Sequence, residues 1–497
     1  MPESASTEPR VAVAGATPPP ARSPIPAVSP LVWILVAAIT CVGLAVRLLA
    51  ACDDLWFDEL WTFGPDVVGK VRSPLDVFTK VHHENNHYFN TLVAWLLGPE
   101  RLPLAYRLPS VLCGGASVWF AARMGLRRSP CAGLFSAVAV ASSYLLVHYG
   151  SEARGYSMAV CAAIVSWDFR ERLRLVPSKW NGAVVGIAEC LGVTAQPVFV
   201  CYLAAVGLMG LKDVLWSEPH DRRPGIGQLL VGLPGILWFG WLYFIDLRLA
   251  FNPGGPVIPV TEVVLQTLSL TVGGPYEGAG LWVGGVVGGV IVVGAWLSLF
   301  QSERRWCLLV ALAGVLIPSA VVLVEARYEI YPRYFLVGVA LAQITIAWAL
   351  ARAWSRGGVT RRVALVAMVG FTLAQGTHVW RLLERGRGDP IGIAREMERE
   401  SEWRVLEYAG DHPYRIRAFV ERGVAGLDSS SPTSRFVPEK EARQNPPEWL
   451  VLHDFKIEPA FPEALRRGSI RYRRQMVARY AGLSGWSTAL YHLDPGS

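Results

Sequence analysis

The chain has 497 residues, of which 52% are apolar and only 18% are charged. This composition excludes an ordinary soluble enzyme of this length and predicts a chain whose main solvent is lipid. The net charge of +7 does not indicate a nucleic-acid partner, because the arginines stand in short clusters between apolar runs, without interleaved aromatic residues.

Apolar runs long enough to cross a bilayer recur along the chain. Residues 1–30 are rich in Pro, Ala and Ser, and we expect a disordered cytoplasmic tail. The first span is 31–50, because about 20 apolar residues cross the hydrocarbon core as a helix. The shorter run 88–97 predicts a helix lying at the interface. Ten more spans are predicted, with 182–211 divided at Gln196-Pro197: 107–125, 131–148, 156–169, 182–195, 198–211, 229–245, 281–300, 308–324, 335–350 and 363–379.

The loops between these spans differ in positive charge. One alternate set of loops holds sixteen Lys and Arg residues and the opposite set holds four, so the positive-inside rule places the N-terminus in the cytoplasm. Eleven spans then leave the C-terminus outside a plasma or inner membrane. The basic set is 123–130, 170–179, 212–223, 304–305 and 352–362, and the opposite set is 149–155, 194–197, 247–279 and 325–333.

The predicted fold is therefore mainly α, a polytopic membrane bundle over 31–380 with interfacial helices in a first outer loop, 51–106. The polar segment 381–497 carries short strand-like runs, such as 449–453 and 489–492, between Pro- and Gly-rich breaks. This pattern predicts a small extracytoplasmic α/β domain.

Ionisable residues gather on one predicted side of the membrane, which indicates a shared site. Asp58 and Glu59 are candidates for a carboxylate base beside the bilayer, with a solvated loop as the alternative. Arg154 and Arg333 are candidates for gripping a phosphate bidentately, and the alternative is that each reaches only to lipid headgroups. No nucleotide-binding motif accompanies them.

The histidines of the first loop raise the question of a metal. His82, His83 and His87 are close in sequence, but neighbouring histidines rarely converge on one ion unless a fold directs them. We expect polar contacts to a substrate instead. A divalent metal is compatible with the pattern and is not required by it.

The order of these motifs resembles the C-type membrane glycosyltransferases, in particular the group of protein O-mannosyltransferases and lipid A aminoarabinose transferases. The resemblance covers 31–160 well and the remainder thinly, and the family's His-Pro-Pro-Leu-Tyr-Tyr pattern is altered here by Tyr88 and Phe89. The matching residues are Trp56-Phe57-Asp58-Glu59, Asn86-His87-Tyr88, Arg107-Leu108-Pro109-Ser110, Glu152-Ala153-Arg154-Gly155-Tyr156 and Arg333-Tyr334-Phe335.

The resemblance implies transfer of a sugar, with inversion, from a polyprenyl-phosphate donor to a protein, lipid or glycan acceptor. It implies that Asp58 is the catalytic base, with Glu59 beside it. Several matched polar and aromatic residues become candidate substrate contacts, namely Asn86, His87, Arg107, Glu152, Arg154, Tyr156, Arg333 and Tyr334. His83 is a further candidate, as a histidine of the same loop.

Two alternatives stay open at the level of sequence. A transporter or lipid flippase would use the same outer cavity but needs polar groups near the bilayer midplane, where Glu189 is the main ionisable residue of the predicted spans. A polysaccharide polymerase or ligase would share the donor and carry a large late outer loop, whereas 247–279 is of moderate length.

Overall fold

The structure is a computed structural model of the chain. It describes residues 28–64, 66–83, 85–98, 101–218, 222–250, 258–324, 330–401, 405–427 and 433–494. The tail predicted to be disordered, 1–30, lies outside these residues apart from its last three.

Helices make up most of the described chain, and a small mixed domain follows them. The membrane body consists of α1 (Pro30–Ala51), α2 (Phe57–Thr62), α3 (Asp76–Thr79), α4 (Tyr88–Leu97), α5 (Pro103–Leu126), α6 (Pro130–Ser142), α7 (Tyr144–Gly150), α8 (Tyr156–Leu175), α9 (Lys179–Ala195), α10 (Val200–Leu215), α11 (Arg223–Ile245), α12 (Val260–Thr271), α13 (Gly280–Leu299), α14 (Arg304–Ala311), α15 (Ile317–Val324), α16 (Leu336–Ser355) and α17 (Gly358–Arg385).

Seven helical segments of the described chain are long and apolar enough to cross a membrane, and the bent pair α6 and α7 makes an eighth. The predicted spans 107–125, 156–169 and 182–195 are also helical, as parts of α5, α8 and α9, but they fall short in length or apolarity. The multi-pass character is confirmed, whereas the count of eleven and the orientation stay predictions. The predicted break at Gln196-Pro197 is present, between α9 and α10.

The predicted span 131–148 is broken in the structure, where α6 and α7 meet at 58°. Ser143 is non-helical and its hydroxyl accepts from the Leu146 N–H, 3.4 Å away, as an N-cap. The break frees carbonyls that lipid cannot satisfy. The fully buried guanidinium of Arg47 binds two of them, with Nη2 at 3.0 Å from Val140 O and Nη1 at 3.4 Å from Ala141 O.

The loop 247–279 contains an unpredicted helix, α12. Its sequence mixes Thr, Gln and Glu with aliphatic residues, so no apolar run marks it. Helix α13 packs closely on α12, because a Cβ on Gly288 would lie 2.2 Å from the Leu268 carbonyl oxygen. Gly284, Gly285 and Gly288 of α13 therefore serve helix packing.

Glu189, the acidic residue predicted within a span, is fully buried between helices. Both of its oxygens accept from Arg170 on α8, at 2.8 and 3.1 Å, and Oε1 also accepts from the Ser166 hydroxyl at 2.6 Å. The pair thus joins α8 to α9 as a satisfied internal ion pair.

The C-terminal domain is a six-stranded mixed sheet with helices, as the strand-like runs predicted. Strand order is β2-β1-β3-β6-β5-β4, with β2, β1 and β3 mutually parallel and the other pairs antiparallel. Its elements are α18 (Pro390–Glu400), β1 (Val405–Gly410), α19 (Pro413–Ala425), β2 (Thr433–Phe436), α20 (Glu439–Ala442), β3 (Trp449–Asp454), β4 (Ala464–Arg467), β5 (Ile470–Ala478) and β6 (Ser487–Leu493).

A buried arginine joins this domain to the membrane body. Helix α17 is capped by Gly386, whose φ is +60° and whose missing Cβ leaves room for the Asp53 carboxylate. The next residue, Arg387, donates from Nη2 to the His148 carbonyl at 2.9 Å and to the Ser151 hydroxyl at 2.8 Å. The domain is therefore fixed at the end of the bundle that carries the first loop.

The basic loops meet at the other end of the bundle. Arg128 binds Glu303 at 2.7 Å, and Arg305 binds both Asp213 and Glu171. Since α5 and α8 each run from the first-loop end to this basic end, the charge asymmetry found in the sequence is also an asymmetry in space.

This arrangement predicts which end faces outward. Cys52 is an exposed thiol at the first-loop end of α1, whereas Cys41, also exposed, lies in the middle of the same apolar helix. If the basic end is cytoplasmic, a membrane-impermeant maleimide will label Cys52 in sealed right-side-out vesicles and not in inverted ones. Labelling is read by mass shift, with Cys52→Ser as the control, and labelling confined to inverted vesicles would reverse the assignment.

Candidate functional site

A cavity of about 290 Å³ lies between the first-loop end of the membrane body and the C-terminal domain. Polar and aromatic side chains from both parts line it, so it is suited to a polar ligand that approaches from the bilayer boundary. The lining residues are Phe57, Asp58, Trp61, His83, Asn85, His87, Arg154, Tyr156, Gln196, Arg333, Tyr334, His412, Tyr414 and Arg415.

Two arginines flank one carboxylate in this cavity. Asp58 Oδ2 lies 3.0 Å from Arg154 Nη1 and 3.7 Å from Arg333 Nη1. The Asp58 side chain remains 25% exposed, so a ligand can reach it, while the arginine side chains are only 5% and 13% exposed. A carboxylate and two cations thus share one partly desolvated space.

Arg154 is held in place by fixed acceptors. Its Nε donates to His87 Nε2 at 2.9 Å, and its Nη2 donates to Asn85 Oδ1 at 3.1 Å. Asn85 in turn donates from Nδ2 to the Asp58 carbonyl at 2.7 Å, which ties the loop to α2. The guanidinium also lies over the ring of Tyr156, 5.2 Å from its centroid.

His87 must be neutral to accept from Arg154. Burial lowers the pKa of His87 well below its ordinary value, and the charges of Arg154 and Arg333 lower it further. The imidazole is therefore a neutral acceptor at neutral pH. Burial also lowers the pKa of His83, which receives the indole N–H of Trp61 at 3.0 Å.

Arg333 differs from Arg154 in its hydrogen bonding. Among the described residues Arg333 makes no hydrogen bond, and its buried Nε has no partner. Its guanidinium stacks over the Tyr331 ring, 4.1 Å from the centroid, which holds the charge in position without neutralising it. A buried guanidinium with unused donors favours an anionic ligand.

Glu59, predicted beside Asp58 as part of the catalytic pair, points away from the cavity. It is 1% exposed, and its oxygens accept from Arg107 Nε at 2.9 Å and Nη2 at 2.5 Å. Oε1 also accepts from the Ala153 N–H at 2.7 Å. Neighbouring residues on a short helix point in different directions, so only Asp58 of the pair reaches the cavity.

Three predicted substrate contacts also lie outside the cavity. Arg107 is fully buried against Glu59 and the carbonyl of Asp54, which accepts from Nη2 at 2.7 Å. Asn86 donates to the Val77 and Val81 carbonyls, and Glu152 is buried between His148 and Arg387, at 3.1 and 3.3 Å. These side chains already have partners, so we interpret them as positioning groups.

Seven of the eleven predicted site residues line the cavity: Asp58, His83, His87, Arg154, Tyr156, Arg333 and Tyr334. The sequence did not single out Asn85, Gln196, His412, Tyr414 or Arg415. Asn85 carried a detectable signal, as it lies between two candidate histidines. His412, the N-cap of α19, and Tyr414 and Arg415 in its first turn carried none, because a helix of a separate domain enters the cavity only through the tertiary fold.

The first-loop histidines have separate partners. His82 Nδ1 lies 2.6 Å from Asp246 Oδ1, whereas His83 and His87 contact Trp61 and Arg154. Among the described residues no group of three His, Cys, Asp or Glu side chains is arranged to hold a metal ion.

The buried pair of Glu59 and Arg107 predicts a specific stability pattern. Arg107→Met leaves the Glu59 carboxylate buried and unpaired, so we expect a loss of about 3–5 kcal/mol and a lower Tm. The double change Glu59→Gln with Arg107→Met removes both charges and is expected to recover at least half of that loss. Thermal unfolding of the purified protein in detergent measures both, and additive losses in the double variant would contradict the pairing.

No protein-family model and no curated protein matches the chain. The solved structures that resemble it do so at low identity. ArnT from Cupriavidus metallidurans bound to undecaprenyl phosphate has 13% identity and a TM-score of 0.49, with 93% of this chain and 97% of that chain covered. Arabinosyltransferase EmbB from Mycobacterium smegmatis has 11% identity and a TM-score of 0.41, with 73% of this chain and 42% of that chain covered.

The oligosaccharyltransferase of Archaeoglobus fulgidus, tethered with an acceptor peptide, has 9% identity and a TM-score of 0.41, covering 85% of this chain and 69% of that chain.

Proposed function

We propose that the protein is a membrane glycosyltransferase that moves a sugar from a polyprenyl-phosphate donor to an acceptor hydroxyl or amine. The observation that carries the proposal is the arrangement of Asp58, Arg154 and Arg333 in one cavity, with the donors of Arg333 unused. A phosphate needs cations with free donors, and the transfer needs a base nearby.

In the proposed reaction the acceptor O–H or N–H attacks the anomeric carbon of the sugar, and Asp58 takes the proton. The bond from the anomeric carbon to the phosphate oxygen breaks, and its electron pair leaves with the lipid monophosphate. Attack and departure occur on opposite faces of the sugar, so the configuration inverts. Asp58 acts alone as base, because Glu59 is engaged by Arg107.

Arg154 and Arg333 would stabilise the charge that develops on the leaving phosphate. In a partly desolvated cavity such fixed cations act more strongly than in water, since the local dielectric constant is low. In the structure Arg154 donates to Asp58. A bound phosphate would compete for that donor and release the carboxylate to act as a base.

We propose that the cavity faces the extracytoplasmic side. It lies at the end opposite the basic loops, and the positive-inside rule places those loops in the cytoplasm. The donor would then enter from the outer leaflet and the C-terminal domain would be extracytoplasmic. The transporter alternative has less support, because Glu189 already binds Arg170 and offers no free charge to a cargo.

Asp58→Asn is expected to lower transfer at least about a thousandfold, because the amide cannot accept the proton, while undecaprenyl phosphate still binds. Transfer is measured by mass spectrometry of lipid-linked sugars and envelope glycans in cells that carry each variant. Asp66→Asn, at an exposed carboxylate of the same loop paired with Lys70, is the matched control. Undiminished transfer by Asp58→Asn would exclude the role.

Arg333→Gln is expected to weaken binding of undecaprenyl phosphate about tenfold to a hundredfold, because one charge-assisted contact to phosphate is lost. Binding is measured with the purified protein in nanodiscs. Arg248→Gln alters an exposed arginine that stacks on Phe244, and it should bind as the wild type does. If Arg333→Gln and Arg248→Gln both bind undecaprenyl phosphate as tightly as the wild type, the phosphate does not bind at Arg333.

A further inference from the structure

The C-terminal domain presents a cation to the cavity. Arg415, in the first turn of α19, lines it together with His412 and Tyr414. Its Nη1 lies 3.3 Å from His453 Nε2, and its guanidinium lies 4.9 Å from the centroid of the Phe455 ring. Among the described residues it forms no ion pair with a carboxylate, so its charge is not neutralised.

The carboxylate nearest in this network is already engaged. Asp411 Oδ1 lies 2.8 Å from His453 Nδ1, and Oδ2 accepts from the His453 backbone N–H at 3.0 Å. Asp411 thus keeps the proton on Nδ1 and leaves the Nε2 lone pair for the guanidinium. Asp411 and His453 therefore orient Arg415 without cancelling its charge.

Other arginines of the same helix have carboxylate partners. Arg417 donates to Glu421 at 2.7 Å, and Arg422 lies 3.6 Å from Asp54 of the membrane body. Arg415 combines a position on the cavity wall with an uncompensated charge, which is the arrangement that anion binding requires.

The charges lining the cavity do not balance. Asp58 is the carboxylate, whereas Arg154, Arg333 and Arg415 are cations. The proposed donor phosphate would compensate the charges of Arg154 and Arg333, which contact Asp58. The charge of Arg415 would then still have no anionic partner in the cavity. The rings of Trp61 and Tyr414 are in contact, with centroids 5.5 Å apart and planes tilted by 39°, so the α19 wall adjoins the helix that carries Asp58.

We propose that Arg415 forms a second anion subsite, which binds a phosphate or carboxylate group of the acceptor while Asp58 takes the proton from its attacking group. The acceptor is then an anionic molecule, and the C-terminal domain selects it. This inference rests on the proposed glycosyl transfer, which assigns the other two arginines to the donor.

The test uses the full-length protein in phosphatidylcholine nanodiscs saturated with undecaprenyl phosphate, to which inorganic phosphate is added. Phosphate binding is followed by the ³¹P line width of the free ion. Wild type should bind saturably, Arg415→Gln should lose at least about tenfold in affinity, and Arg415→Lys, which keeps the charge, should lose about threefold or less. Arg417→Gln, on the same helix, should match wild type.

Unchanged phosphate affinity in Arg415→Gln would overturn the subsite. An equal loss of affinity in Arg417→Gln would also overturn it, because it would indicate an adventitious ion only. A second arm adds phosphatidic acid to the nanodisc. If phosphatidic acid competes with free phosphate for the subsite, the acceptor is carried on a lipid. If it does not compete, the acceptor is soluble. Both results support an anionic acceptor. Failure of undecaprenyl phosphate to bind wild type would contradict the donor site instead, so the two failures are distinguishable.

Discussion

The Glu59 carboxylate fixes the geometry on which the site depends. It binds the guanidinium of Arg107 on α5 and the backbone N–H of Ala153, so it joins helix α2 to the loop that carries Arg154. Asp58 precedes Glu59 on α2 and is thereby aimed at Arg154. The side chains of Glu59 and Arg107 are fully buried, and burying two charges is costly unless both have hydrogen-bond partners. Here each of the two has several. The same bonds that satisfy Glu59 therefore align the candidate base with the candidate phosphate ligand.

A second joint, at Arg387, sets the position of the C-terminal domain. Arg387 is 3% exposed, and its guanidinium binds groups around the end of α7, while its backbone N–H donates to Asp53 at 2.9 Å. This joint brings α19 to the cavity, so the domain contributes to the wall instead of hanging free. The two proposed binding roles follow from this position: the membrane body binds the lipid phosphate, and the C-terminal domain contributes a cation that binds the acceptor.

The multi-pass helical fold could be predicted from the sequence, because the length of apolar runs and the charge of the loops between them can be read directly from the chain. The motifs around Asp58, Arg154 and Arg333 led to one cavity although these residues are far apart in the chain. The direction of each side chain could not be predicted, so Glu59 was expected beside Asp58 in the reaction. The bend at Ser143 and the entry of Arg415 depend on contacts with distant residues, Arg47 and Arg387, which no local pattern reveals.

An experimental structure with undecaprenyl phosphate bound would test the central claim most directly. We expect the phosphate oxygens within hydrogen-bond distance of both Arg154 and Arg333, about 3 Å, with the Asp58 carboxylate facing the same space. A phosphate bound away from these arginines, or an Asp58 side chain turned out of the cavity in the complex, would contradict it.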